Sequence, residues 1–209
     1  MNFYQANIRI QELTMANEDS AVSLCFDCLC DNHYYADIFP GRDERYKTLH
    51  VMFREAYDFC YRNGIILGAF DREDLVGFIM TFDYKKALSE DKESFCSIFD
   101  IPFSKSPIDW ESVSYGASLH KQILNMKDAV MYMLLLGTKL SYRNHGIGSS
   151  LIDAVLNKNE SVVSDVSNAE SLGMYKKRGF KIEELDTGYY FVSKKPLGCI
   201  AEKACDQAA

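Results

Sequence analysis

Hydrophobic and polar positions alternate over Ile8–Leu13, a period of two that predicts a first strand. The period then changes. Behind the candidate N-caps Asn17, Glu18 and Asp19, the apolar residues Ala21, Val22, Leu24, Cys25, Cys28 and Leu29 recur at helical spacing, predicting a helix to about Asp31. A second helix is expected from about Asp43 to Arg62. Its inner face is Leu49, Met52, Phe53, Ala56, Phe59 and Cys60, and Asn63-Gly64 stops it. Ile65–Phe70 and Leu75–Phe82 read as a hairpin closed by a four-residue polar turn, Asp71–Asp74. The stretch Asp83–Asp128 is too long to be bare loop inside a compact domain. A helix is expected within Lys85–Phe99 and another from Pro107, with Ser106 as its N-cap.

The second half opens on Ala129–Leu136, an apolar run without alternation, which predicts a strand buried on both faces. A polar turn, Thr138–Gly148, leads to a helix marked by Leu151, Ile152, Val155 and Leu156. Ser161–Val166 reads as a short strand, and Asn168 caps a helix ending at Gly179. Phe180–Leu185 and Tyr189–Lys194 form a closing hairpin around Asp186-Thr187-Gly188, and the tail after Pro196 frays. The expectation is one domain over 1–196, with an insertion at about 83–128 and a tail at 197–209.

Charge narrows the partners. The 209 residues carry a net charge of −7 and show no basic cluster, which argues against nucleic acid and against an anionic membrane. An acidic surface suits a cationic or amine partner, and equally serves plain solubility. The longest apolar run falls far short of the ~20 residues a membrane span needs. The N-terminus lacks the apolar core of a signal peptide. The seven cysteines show no regular framework. Cys25, Cys28 and Cys30 cluster near His33 but lack a second ligand pair, so they read as buried thiols, with no metal expected. A reducing, cytoplasmic location fits.

The informative stretch is Leu134–Leu151, in which a buried strand runs into Arg143-x-x-Gly146-x-Gly148 and a helix follows. Glycines let backbone N–H groups approach a ligand, the helix N-terminus adds partial positive charge, and Arg143 adds a forked cation. A diphosphate would be at home there. A tight strand-to-helix turn without a ligand explains Gly146 and Gly148 equally well. Two rival phosphate motifs fail. The third glycine of a dinucleotide fingerprint is Leu151 here, and Gly148 is followed by Ser149-Ser150 instead of Lys-Ser/Thr.

Downstream lies Asn168-Ala-Glu-Ser-Leu-Gly-Met-Tyr175-Lys-Lys-Arg-Gly179-Phe180. Together with the first motif it resembles the GNAT family, the acyl-CoA-dependent N-acetyltransferases, in order, spacing and strand–helix context over about Ala129–Lys194. The resemblance implies an α/β (α+β) fold, with a mixed, mostly antiparallel central sheet flanked by helices on both faces. It implies acetyl-CoA as co-substrate, its pyrophosphate on Arg143, Asn144, His145, Gly146, Ile147, Gly148 and Ser149. The strand end Leu135, Leu136, Gly137 and Thr138 would pair with the pantetheine, and an N–H near Leu135 or Leu136 would steady the oxyanion. Tyr175 would be the general acid that protonates the leaving thiolate. The bland alternative is a ring packed in the core. Asn168 would contact the cofactor, or simply cap its helix.

The sequence departs from the family at Leu140, where proline is frequent, and at Gly173 inside a helix. A general base is not evident. Asp83, Glu111 and His120 are candidates, with a water chain as the alternative; the strand holds only Tyr132, and His145 reads as a loop residue. Tyr34, Tyr35, Phe39, Trp110 and Tyr115 are candidates to line an acceptor site. The expected activity is acetyl transfer to a primary amine of a small molecule or peptide by direct attack in a ternary complex. No cysteine lies in the matched motifs to carry an acetyl-enzyme. A non-catalytic acyl-CoA-binding module, another acyl donor and a hydroxyl acceptor are the alternatives. A homodimer is compatible with the resemblance.

Overall fold

A computed structural model describes residues 8–95, 123–124, 129–159, 161–186 and 189–194. In chain order the elements are β1 (Ile8–Glu12), α1 (Glu18–Leu29), α2 (His33–Ile38), α3 (Arg42–Asn63), β2 (Gly64–Asp71), β3 (Asp74–Asp83) and α4 (Tyr84–Glu90). Then follow β4 (Met131–Thr138), α5 (Ile147–Leu156), β5 (Val162–Val166), α6 (Leu172–Lys176), β6 (Lys181–Asp186) and β7 (Tyr189–Lys194). The strands form one sheet in the order β1-β2-β3-β4-β5-β7-β6. Each neighbouring pair is antiparallel except β4 and β5, which are parallel.

Helices cover both faces, because alternate strand residues are apolar on each side. On one face α1 and α3 bury Leu24, Cys25, Leu49, Phe53 and Phe59 with Phe78, Met80 and Phe82 of β3. On the other, α5 buries Ile147, Leu151, Ile152 and Val155 with Ile79, Met133 and Val162. The first-turn carboxylates of α1, Glu18 and Asp19, each lie 2.8 Å from the guanidinium of Arg54 on α3, locking the two helices together.

Most of the expected elements are present, with informative differences. Six residues, His33–Ile38, form α2, which sequence periodicity does not reveal because it spans under two turns. Asn32 caps it, accepting from Tyr34 N at 3.0 Å. The β2–β3 hairpin has a two-residue connection, since Asp71 pairs with Asp74 and Arg72 takes a positive φ of 58°. The expected four-residue turn therefore includes two ladder residues. The expected helix after Asp83 is present as α4, whereas the helix predicted from Pro107 lies outside the described residues.

Candidate active site

The site begins where two strands part. β4 and β5 pair at Met131↔Val162 and Tyr132↔Val163, and there the parallel ladder stops. In place of the next rung, Ser164 Oγ donates to Met133 O at 2.8 Å. On its other side β4 slips register against β3, with Thr81 opposite Met133 and Met80 opposite Leu135, so Leu134 is an inserted bulge residue. Val130–Met133 are buried, but Leu134, Leu135 and Leu136 are half-buried. The expectation of a strand buried on both faces thus fails over its last three residues. The apolar run does not record where the neighbouring strand departs. A strand edge without its neighbour presents N–H and C=O groups to an extended amide chain. Gly137 continues this edge. A Cβ there would sit 2.4 Å from Phe78 Cε1 and 3.2 Å from Cys28 Cβ, so glycine lets α1 and β3 close onto β4.

Beyond Thr138 the chain turns through a short 3-10 segment, Leu140–Tyr142, into α5. The turn is tied down: Lys139 N donates to Val76 O at 2.9 Å, and Tyr142 OH to Asp71 Oδ2 at 2.8 Å. Asn144 and Gly146 take positive φ of 64° and 83°. Gly146 is the N-cap, so α5 starts at Ile147 and Gly148 lies in its first turn, one residue inside the helix that sequence places after it. The first helical bond runs from Ser150 N to Gly146 O at 2.9 Å. The N–H groups of Ile147, Gly148 and Ser149 precede it and carry the positive end of the helix dipole. A Cβ at Gly146 would meet open space. Arg143 is exposed and lightly held, its Nε 3.3 Å from Thr138 O and its Nη2 3.4 Å from Cys28 O. His145 is exposed, with Nδ1 2.8 Å from Arg143 O, which agrees with its reading as a loop residue. From Leu135 to Ser149 the predicted residues therefore form one continuous edge-and-turn, a cradle suited to an amide chain ending in an anion.

Tyr175 arrives from α6. Its ring is buried, edge-on to Phe180 with centroids 5.3 Å apart, and its hydroxyl lies near Ser164. The ring packs in the core, and the hydroxyl lies on the side of Ser164, the β5 residue that bonds to β4 at the fork. Burial pushes its pKa up to about 12, against the smaller lowering effect of Ser164. Arg178, just past α6, fixes this placement through a two-pronged ion pair with Asp153 of α5, at 2.6 and 2.7 Å. Asn168 Oδ1 accepts from Glu170 N at 2.8 Å, which is the helix-cap role.

The base candidates fare differently. Asp83 caps α4, accepting from Lys85 N at 3.0 Å and Lys86 N at 3.1 Å, so its carboxylate is engaged in the backbone. Glu111, His120, Trp110 and Tyr115 lie outside the described residues. Tyr35 and Phe39 are buried, and Tyr35 packs edge-on to Phe53. Tyr34 is only partly buried. Burial raises the thiols of Cys25 and Cys60, and carries Cys28 up to about 11 despite nearby Arg143. These thiols are protonated at neutral pH and make poor nucleophiles. Among the described residues, no three His, Cys, Asp or Glu side chains gather as a metal site, and no helix is long and apolar enough to cross a membrane. Sequence reasoning missed one acidic group. Asp165 of β5 accepts a hydrogen bond from the Tyr132 hydroxyl across the fork. Its signal was the polar residue breaking the apolar run of β5.

Comparison with known proteins places the chain. A search of curated proteins finds no match. Similar solved structures include an acetyltransferase from Corynebacterium glutamicum described as histone acetyltransferase HPA2 and related acetyltransferase. It is 18% identical, with a TM-score of 0.62 over 90% of this chain and 96% of that one. The PaiA N-acetyltransferase of Thermoplasma acidophilum, in complex with coenzyme A, is 18% identical, with a TM-score of 0.56 over 91% and 99%. Arylalkylamine N-acetyltransferase 2 of Aedes aegypti is 15% identical, with a TM-score of 0.55 over 85% and 84%. At these identities the likeness shows the fold. The family model for the acetyltransferase (GNAT) family matches residues 32–180, most of the chain. The chain belongs to the acetyltransferase (GNAT) family.

Proposed function

We propose that this protein transfers the acetyl group of acetyl-CoA to a primary amine of a small molecule or peptide, by direct attack in a ternary complex. The observation that carries the reading is the fork between β4 and β5, with the buried Tyr175 hydroxyl near Ser164 beside it. In this reading the pantetheine lies along Leu135–Thr138 as an added strand, and the pyrophosphate rests on the N–H groups of Ile147, Gly148 and Ser149 with Arg143 alongside. The bulge at Leu134 turns a β4 amide out of the ladder, a fitting donor for the developing oxyanion near Leu135. Tyr175 gives its proton to the departing thiolate. Asn168 serves as helix cap, and its contact with the cofactor is secondary.

The raised thiols support direct attack over an acetyl-cysteine intermediate. Calorimetric titration of acetyl-CoA into wild type, Arg143→Ala and Gly146→Asp tests the reading. Binding in wild type, weakened in both variants, is expected. Gly146→Asp adds an anion at the α5 N-terminus and strains a left-handed position. Absence of wild-type binding overturns the reading. Binding without turnover on any amine marks an acyl-CoA-binding module instead.

A further inference from the structure

Between Lys139 and Ile147 the chain leaves the sheet and returns as a helix. Both ends of this turn are fixed. Lys139 N donates to Val76 O of β3 at 2.9 Å, and Ile147 is buried beneath α5. Between them Leu140, Ser141, Arg143, Asn144, His145 and Gly146 are exposed. Tyr142 differs. It is half-buried, its ring packs against the apolar cluster under α5, and its hydroxyl donates to Asp71 Oδ2 at 2.8 Å. Asp71 is a firm anchor, because it pairs with Ile8 of β1 on one side and with Asp74 of β3 on the other. Among the described residues, the non-glycine residues with positive φ are Arg72, at 58°, and Asn144, at 64°. The first adjoins Asp71 and the second lies two residues past Tyr142. The bond therefore joins two loops that each hold a costly backbone conformation, and such conformations persist only where the surroundings fix them.

We infer that Tyr142, braced on Asp71, is a positioning residue that keeps the turn Arg143–Gly146 in the shape that accepts a diphosphate; this rests on the acetyl-CoA site of the reading above. A turn already set before the ligand arrives spends less of the binding free energy on ordering. Arg143 gains most, since it follows Tyr142 directly and its own hydrogen bonds are long, at 3.3 and 3.4 Å. A carboxylate near an anion cradle opposes the ligand's charge. Asp71 thus contributes through the bond it accepts, and not through its charge. That bond, then desolvation and the charges of Asp71 and Asp74, hold the Tyr142 phenol above its ordinary value, against a smaller opposing effect of Arg72. The hydroxyl stays a donor at working pH.

The brace serves one part of the co-substrate. Leu135–Thr138, the edge offered to the pantetheine, are each paired with β3 and need no help from Tyr142. The diphosphate would rest on the turn itself. Loss of the brace is therefore felt by a donor that carries the diphosphate and not by one that lacks it.

Tyr142→Phe tests this, since it removes the hydroxyl and keeps the ring. Calorimetry measures the binding of acetyl-CoA and of S-acetylpantetheine, which carries the same thioester without the diphosphate. The expected result is acetyl-CoA bound roughly 5- to 30-fold more weakly, with S-acetylpantetheine bound as by wild type. With a primary amine as acceptor, KM for acetyl-CoA rises by the same factor, while kcat at saturation stays within about twofold. Asp71→Asn keeps an acceptor for Tyr142 and drops a negative charge, so it binds acetyl-CoA as tightly as wild type or more tightly. The double variant Tyr142→Phe with Asp71→Asn stays weak, because no donor remains; a pure charge effect would restore it. If wild type binds acetyl-CoA, the assignment alone is overturned by Tyr142→Phe binding it within about twofold of wild type, by an equal loss on S-acetylpantetheine, or by a restored double variant. Wild type that binds no acetyl-CoA overturns the acetyltransferase reading and this assignment with it.

Discussion

Replacing Tyr175 by phenylalanine removes one oxygen and nothing else. The ring keeps its edge-on contact with Phe180, and Ser164 keeps its bond to Met133 O. Losing a buried hydroxyl beside Ser164 costs at most about 1 kcal/mol, which for a chain of this length lowers the melting temperature by no more than about 2–4 °C. That is too little to unfold the protein at 25 °C. If the hydroxyl is the general acid, kcat falls by roughly 10²–10⁴-fold. Acetyl-CoA affinity stays near wild type, since the phosphate turn and the β4 edge are untouched. Burial carries the group to about 12, so wild type keeps its acid protonated throughout pH 6–10 and shows no alkaline fall from this residue. The assay is release of CoA thiol at saturating acetyl-CoA, beside calorimetry for binding and circular dichroism for melting. A variant that melts a few degrees lower yet turns over within about threefold of wild type would refute the argument and reduce the hydroxyl to a strut.

Three further outcomes are expected. Gly137→Ala forces a methyl against the Phe78 ring, and such overpacking costs about 1–3 kcal/mol, read as a clear drop in melting temperature; an unchanged value would contradict the packing at β4. Gly173→Ala in α6 meets nothing within 4 Å, so helix propensity gives about 0.5–1 kcal/mol of stabilisation, and a lower melting temperature would contradict it. Alkaline stability carries a defined sign. The folded state holds the Tyr175 proton more tightly than the unfolded chain, so its share of stability is whole below pH 10. That share, on the order of 2–3 kcal/mol, is lost as pH rises toward about 12. Urea midpoints of Tyr175→Phe should therefore decline less steeply than wild type above pH 10, and parallel declines would refute this.

What the chain discloses about itself depends on scale. Elements of three or more turns or rungs, such as α3 and the β2–β3 hairpin, repeat their pattern often enough to be read. The motif residues Arg143 to Ser149 and Tyr175 also stand out, because glycine and arginine at fixed offsets mark backbone conformation and charge. The helix α2 escapes because six residues hold too few repeats. The fork escapes because it is a relation between strands 30 residues apart, set by where β5 diverges and by the Ser164 hydroxyl. Asp165 escapes for the same reason: its meaning comes from Tyr132, which lies on another strand and faces it only after folding. Asp83 shows the converse, since a carboxylate at a strand end also serves as an N-cap, a role the sequence reading did not name.

The two register pairs between β4 and β5 have a mechanical consequence. They join two antiparallel half-sheets, β1-β2-β3-β4 and β5-β7-β6, each braced by its own extensive ladder. The junction is a seam, and the Asp153–Arg178 clasp spans it from α5 to the segment after α6. Amide exchange will be slow within each half and fastest along the seam, where Leu134–Leu136 lack a neighbouring strand on the β5 side. An extended ligand lying in the seam adds the missing rungs, so occupancy stiffens the joint between the halves. The softest line of the sheet thus lies where an extended co-substrate would be stitched in, and filling it would leave the ladders of either half unchanged.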